Sequence, residues 1–289
     1  MNDKPRPSYR THILLFLATV LTTTAQGAAS VHKDGAMWPL WHGWVYSVPL
    51  LAILLSHEFG HYIAARIHKV PASLPYFIPL PPPIGLLGTM GAVITQEAST
   101  DRKKLIDIGA AGPLAGLLVA IPVLWIGLKL SPVAASSGGG MQEGNSLLYA
   151  LLKRAVTGEW LPGHGRDVQL HPTAFAGWAG LLVTMLNLIP IGQLDGGHVA
   201  TAYFGNDYRR VAGVLHRGLP FLAALVFMVV AWGVRQDLAA LPREAVGWTP
   251  FRIALLASLP WVVWAALLRL MKRISGGQYH PPVDATPLP

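Results

Sequence analysis

Two histidines four residues apart, with a glutamate between them, stand inside an apolar stretch long enough to cross a bilayer. The motif is His57-Glu58-Phe59-Gly60-His61, and its flanks read Val48-Pro49-Leu50-Leu51-Ala52-Ile53-Leu54-Leu55 and Tyr62-Ile63-Ala64-Ala65. On a helix, positions i and i+4 share one face, so both imidazoles can point at one metal ion. Glu58 then stands where a general base for an activated water is needed. Ionisable side chains are costly in hydrocarbon, so a chain that keeps three of them at ligand spacing keeps them for function.

Composition sets the surroundings. Hydrophobic residues make up 52% of the 289 and charged residues 12%. Several apolar runs approach the roughly 20 residues that a spanning helix requires. The pattern predicts an all-α polytopic membrane protein with about six transmembrane helices, near residues 11–28, 43–66, 105–129, 173–191, 212–233 and 249–271. The first run has a second reading as a signal peptide ending in the small residues Thr24 to Ala28, but its length favours a retained helix. Leu147 to Val156 reads as a shorter amphipathic surface helix. The net charge of +8 fits anchoring loops better than nucleic-acid binding, because no long basic run is present. There is no cysteine, which excludes disulfides and thiol ligands and leaves His and carboxylate to hold any metal.

Lys and Arg set the expected orientation. With the N-terminus inside, the cytoplasmic segments hold Lys4, Arg6 and Arg10; Arg66, Lys69, Arg102, Lys103 and Lys104; Arg209 and Arg210; and Arg269, Lys272 and Arg273. Both termini are then cytoplasmic, and the cell (inner) membrane is the expected location. His57 and His61 lie roughly 8–14 Å below the cytoplasmic surface, at 1.5 Å per residue before Arg66.

Between residues 71 and 95 the chain is almost uncharged yet carries Pro71, Pro75, Pro79, Pro81, Pro82 and Pro83. A regular helix is impossible there. A re-entrant loop or small membrane-associated β-element is expected, with Leu87 to Ile94 as a short strand. Residues 131–146 read as flexible outside loop and 275–289 as a disordered tail. The whole is expected to be one integral-membrane domain, residues 1–289.

A catalytic zinc takes three protein ligands and leaves one position open. Asp195 is the best third candidate. It follows the fourth apolar run, and Pro190 with Gly196-Gly197 is expected to break that helix and turn the carboxylate inward. The other reading is an Asp-Gly in an ordinary cytoplasmic turn. Taken together, H-E-x-x-H in an apolar helix and the later Asn187, Pro190, Asp195 and Gly196 resemble the site-2 protease family of intramembrane zinc metalloproteases. Gly109 to Gly116 is similar to that family's glycine-rich core helix, and Gly88 to Ile94 to its membrane-embedded sheet element. The resemblance covers about residues 43–200 and implies the catalytic core there. No PDZ-sized insertion separates the metal helix from the glycine-rich one.

The resemblance implies one Zn²⁺ held by His57, His61 and Asp195, with Glu58 activating water and passing its proton to the leaving amine. Asn187 is implied to contact substrate or the tetrahedral intermediate. His198 is a candidate neighbour of the metal set. Gly112 and Gly116 fit small-xxx-small helix packing. The expected reaction is peptide-bond hydrolysis in or near a transmembrane segment of a membrane-protein substrate, with no nucleic-acid partner. The alternative is an inactive membrane scaffold or a metal transporter; a transporter needs polar residues spread along a path, whereas these cluster at one depth.

Overall fold

Leucine-rich runs without glycine or proline pairs are free to form long helices, and proline density forbids them. The chain follows that division. The structure is a computed structural model and describes residues 9–30, 39–82, 85–96, 101–135, 143–237 and 248–274. Its contacts divide into two compact units. One contains residues 1–98 and 107–188, the other 99–106 and 189–289.

In the first unit, helix α1 (Tyr9–Ser30) precedes α2 (Trp44–Ile67). The buried face of α2 runs through Tyr46, Leu50, Leu54, His57, Glu58, His61 and Ala65, a stripe at three- and four-residue spacing. Pro49 lies inside this helix and cannot donate to the carbonyl of Val45. That carbonyl instead accepts from Thr173 Oγ1 at 3.1 Å, so the proline costs no buried hydrogen bond. The helix stops where Lys69 turns left-handed, at φ 57°. Lys69 N–H bonds to Arg66 O at 3.1 Å and Val70 N–H to Ala65 O at 2.8 Å, which satisfies the last carbonyls. Val70, Ala65 and Ile108 then form a small apolar cluster over the helix end.

Strands β1 (Tyr76–Pro79) and β2 (Thr89–Val93) pair antiparallel, with Tyr76 opposite Val93 and Phe77 opposite Ala92. The expected short strand is therefore present, and part of the proline-rich stretch is its partner. Between Phe77 and Pro79 the register slips by one residue, and Gly91 at φ +96° absorbs the extra residue. Helix α1 holds this hairpin through polar contacts. His12 Nδ1 bonds to Pro75 O at 3.1 Å, and Thr22 Oγ1 donates to Gly88 O at 2.6 Å. Tyr46 Oη of α2 donates to Leu87 O at 3.0 Å.

Helix α3 (Arg102–Lys129) begins among second-unit residues and continues into the first. After it come β3 (Val133–Ala135), α4 (Leu147–Thr157), β4 (Arg166–Val168) and α5 (Pro172–Asn187). The pairing of β3 with β4 corrects the expectation of plain loop from residue 131, while residues 136–142 lie outside the described ones. Helix α4 is amphipathic as expected, capped by Ser146, whose hydroxyl accepts from Tyr149 N–H, and closed by Gly158 at φ 80°. It is not a plain surface helix, however. Lys153 is 0% exposed, with its ammonium 3.5 Å from both Glu143 and Asp167. The charge turned inward because two carboxylates meet it there. Burial and Glu143 push the Tyr149 hydroxyl far above its ordinary range.

In the second unit, α6 (Asp195–Phe204) leads to α7 (Tyr208–Asp237), and α8 (Thr249–Ile274) packs along α7, with Phe227 edge-on to Phe251 at 5.5 Å. Phe221, Leu225, Met228, Val229 and Trp232 form an exposed apolar stripe on α7. Such a stripe suits lipid.

Among the described residues, four helices are long and apolar enough to cross a membrane: Tyr9–Ala29, Leu40–Ile67, Arg102–Lys129 and Arg210–Gln236. These four correspond to expected spans near 11–28, 43–66, 105–129 and 212–233. Helix α5 has 16 residues, roughly 24 Å at 1.5 Å each, which is short of a roughly 30 Å hydrocarbon core. Helix α8 is 26 residues long. The tail at 275–289 lies outside the described residues.

Candidate metal centre

The stripe on α2 that buries Leu50 and Leu54 carries straight on into His57, Glu58 and His61. The three are 3%, 6% and 9% exposed. One helical turn stacks the imidazoles, with ring centroids 5.0 Å apart and Nε2 atoms 3.3 Å apart. His61 Nδ1 lies 2.7 Å from the Ile108 carbonyl of α3. A carbonyl only accepts, so the His61 proton sits on Nδ1 and its Nε2 carries a lone pair towards His57. Carbonyl anchoring of the far nitrogen is how a metal-binding histidine is held in the right tautomer.

Glycines make the room. A Cβ on Gly112 would stand 2.0 Å from His61 Nε2, and one on Gly116 would stand 3.2–3.3 Å from His57 Cβ and Nδ1. A Cβ on Gly60 would meet Ala111 O at 2.5 Å. The small-xxx-small reading of α3 is thus refined. Gly60 takes the backbone approach, while Gly112 and Gly116 seat the two rings. This part of the site fits a metal ion: two imidazole nitrogens face each other 3.3 Å apart, on rings that only glycine lets approach α3 this closely.

Asn187 is the last residue of α5, half-buried, where the helix gives way to a turn at Leu188. Asp195 belongs to the second unit and is the half-buried first residue of α6. The chain between them was expected to break at Pro190 and again at Gly196-Gly197. The glycine pair instead lies inside the first turn of α6, both residues buried. A Cβ on Gly197 would fall 2.3 Å from Gly192 O, so glycine lets the helix start against the preceding turn. Gly192 itself is left-handed at φ +65°. Tyr208 Oη reaches Gly192 O at 3.5 Å. His198 lies one turn along α6 from Asp195 and is half-buried, with its N–H bonded to Leu194 O.

The Ile108 carbonyl and the ring seats at Gly112 and Gly116 were not legible as functional groups. A backbone carbonyl leaves no sequence signal, and a glycine stripe looks the same whether it faces a helix or a ring.

The peptidase family M50 profile matches residues 45–230. Among curated relatives, the chain is 42% identical over 165 residues to a probable chloroplastic zinc metalloprotease, EGY1, of Arabidopsis thaliana, covering 55% of this chain and 29% of that protein. It is 41% identical over 165 residues to the rice (Oryza sativa subsp. japonica) EGY1, covering 55% and 28%. A third, EGY2 of Oryza sativa subsp. indica, is 33% identical over 180 residues, covering 60% and 32%. The chain thus spans under a third of the length of these relatives. No solved structure matches it.

Proposed function

We propose that this chain, which belongs to peptidase family M50, the site-2 proteases, hydrolyses peptide bonds in or near transmembrane segments of membrane proteins. The observation that carries the reading is the pair of buried imidazoles whose Nε2 atoms face each other 3.3 Å apart, with Glu58 beside them. His57, His61 and Asp195 are the proposed zinc ligands. Two imidazoles and a carboxylate are an ordinary donor set for a catalytic zinc. Zinc held there supplies Lewis acidity, polarising a carbonyl and acidifying water.

The chain's own residues do the rest. Glu58 takes a proton from the attacking water and delivers it to the departing amine nitrogen. Ile108 O keeps the proton of His61 on Nδ1. Asn187 donates a hydrogen bond to substrate or to the oxyanion of the tetrahedral intermediate. A helical substrate hides its peptide bonds, so it must unwind, and the hairpin β1–β2 offers main-chain groups to hold it extended. We read residues 1–289 as one integral-membrane protease domain, its core at about 43–200, with both termini cytoplasmic. The chloroplastic location in the relatives' names supports no particular membrane for this chain.

The test is digestion of a single-span membrane peptide library by the purified protein, with products read by mass spectrometry. Zinc-dependent products from wild type and none from Glu58→Gln are expected. Zinc binding at one per chain with no cleavage by wild type would overturn the protease reading in favour of an inactive scaffold. Zinc flux across proteoliposomes would favour a transporter.

A further inference from the structure

Helix α6 is ten residues long, about 15 Å at 1.5 Å per residue. A helix that short is not stable by itself, so what surrounds its two ends decides where it stands. Its first residue is Asp195. Its last turn is held from a distance. Arg102 Nε donates to Ala202 O at 2.5 Å, and Arg102 Nη2 donates to Tyr203 O at 2.8 Å. The last carbonyls of a helix lack intrahelical donors and carry its negative end, so a guanidinium fork meets them in both hydrogen bonding and charge. The closing residue, Gly205, is left-handed at φ 54°, and a Cβ there would meet the guanidinium at 3.8 Å.

Nothing in α3 itself asks for an arginine at this point. Arg102 opens that helix, where a cation opposes the helix dipole. The cap is supplied by Asp101, whose Oδ1 accepts from Lys103 N–H at 2.9 Å and Lys104 N–H at 3.3 Å. The side chain of Arg102 is spent on α6. At the other end, Gly197 seats the first turn against Gly192 O. Asp195 and Ala202 are separated by about 10 Å of continuous helix, a rigid length.

We propose that Arg102 is a positioning residue for the metal set: by clamping the last turn of α6 it fixes the position from which Asp195 offers its carboxylate. The proposal rests on the reading of Asp195 as a zinc ligand. Lysine keeps the charge at position 102 but cannot make the two-pronged contact.

The experiment uses the full chain, purified in detergent. Zinc affinity is measured by chelator competition, and the d–d absorption of the Co²⁺-loaded protein reports ligand geometry. The variants are Arg102→Lys, Arg102→Ala, Lys104→Gln and Asp195→Ala. Arg102→Lys should weaken zinc by roughly tenfold or more, the range found when a residue supporting a ligand is lost. It should also change the Co²⁺ bands, while Lys104→Gln matches wild type in both. Should Arg102→Ala not fold, Arg102→Lys carries the test. Wild-type affinity and spectrum in Arg102→Lys, alongside a large loss in Asp195→Ala, would overturn the clamp and leave the ligand reading standing. Equal losses in Lys104→Gln and Arg102→Lys would also overturn it, since any change at the start of α3 would then have the same effect as loss of the two-pronged contact. Wild-type affinity in Asp195→Ala would overturn the ligand reading itself.

Discussion

Helix α2 and the surroundings of α4 both bury ionisable side chains, and they solve the problem in opposite ways. Around α4, Lys153 is enclosed with Glu143 and Asp167, and Tyr149 donates to Glu143 Oε1 at 3.0 Å. That cluster is closed, because each charge meets an opposite charge or a hydroxyl. On α2, His57 and His61 bring two nitrogen donors together 3.3 Å apart, and the far nitrogen of His61 is fixed by Ile108 O. That pair is organised around a position that both rings face. Burial of charge by itself therefore marks neither structure nor function. The distinction lies in whether the neighbours neutralise the group or aim its lone pair.

The sharpest test of that distinction is removal of the proposed general base. Glu58→Gln should lower peptide turnover by roughly 10²–10⁴-fold, the usual contribution of a positioned acid–base group, while zinc content stays at the wild-type level. Loss of zinc in this variant would mean that Glu58 holds the site together rather than acting on water.

The ring seats come next. Gly112→Ala should weaken zinc by roughly 10–100-fold, because its new methyl would collide with His61 Nε2. Gly116→Ala should cost less, since the nearest atom of His57 is 3.2 Å away and can give by a few tenths of an ångström. Chelator competition measures both, and the reverse order would break the assignment of rings to glycines.

The closed cluster should fail differently. Lys153→Met leaves two carboxylates buried without their cation and should destabilise the protein by about 3–5 kcal/mol. Zinc affinity at α2 should not change. Denaturant unfolding and zinc titration on one sample would separate the two effects.

The smallest effect is a pH dependence at His171. Its Nδ1 caps α5 by accepting from Thr173 N–H at 3.3 Å, which needs the neutral ring, and burial lowers its pKa from 6.5. The unfolded chain then binds the proton more readily. The contribution is full above pH 6.5 and is lost as pH falls below it towards the folded pKa. Thermal melts between pH 5 and 8 should show this slope in wild type and a flatter one in His171→Asn, which caps without titrating.

The helical part of the candidate metal centre was legible in the sequence. His57, Glu58 and His61 were readable because helical periodicity is local: spacing alone puts i and i+4 on one face. The strand at Thr89–Val93 was readable because prolines exclude the helix on its N-terminal side. The span count was less legible. The apolar run through 173–191 looks continuous in composition, but the helix ends at Asn187 and Leu188, before Pro190 and Gly192, leaving too short a rod. The burial of Lys153 was not legible because its partners are ten residues before it and fourteen after, too far for a helical pattern to reveal.

The sequence by itself determined the chemistry: which side chains offer nitrogen and oxygen donors, that no thiol competes with them, and that two of them share a helical face. The tertiary structure alone decided the tautomer of His61, the ring seats at Gly112 and Gly116, and the grip of Arg102 on the end of α6. The physical reason is range. Covalent spacing sets the first group, whereas the second depends on backbone carbonyls and close approaches between segments as many as 100 residues apart, which leave no trace in local pattern.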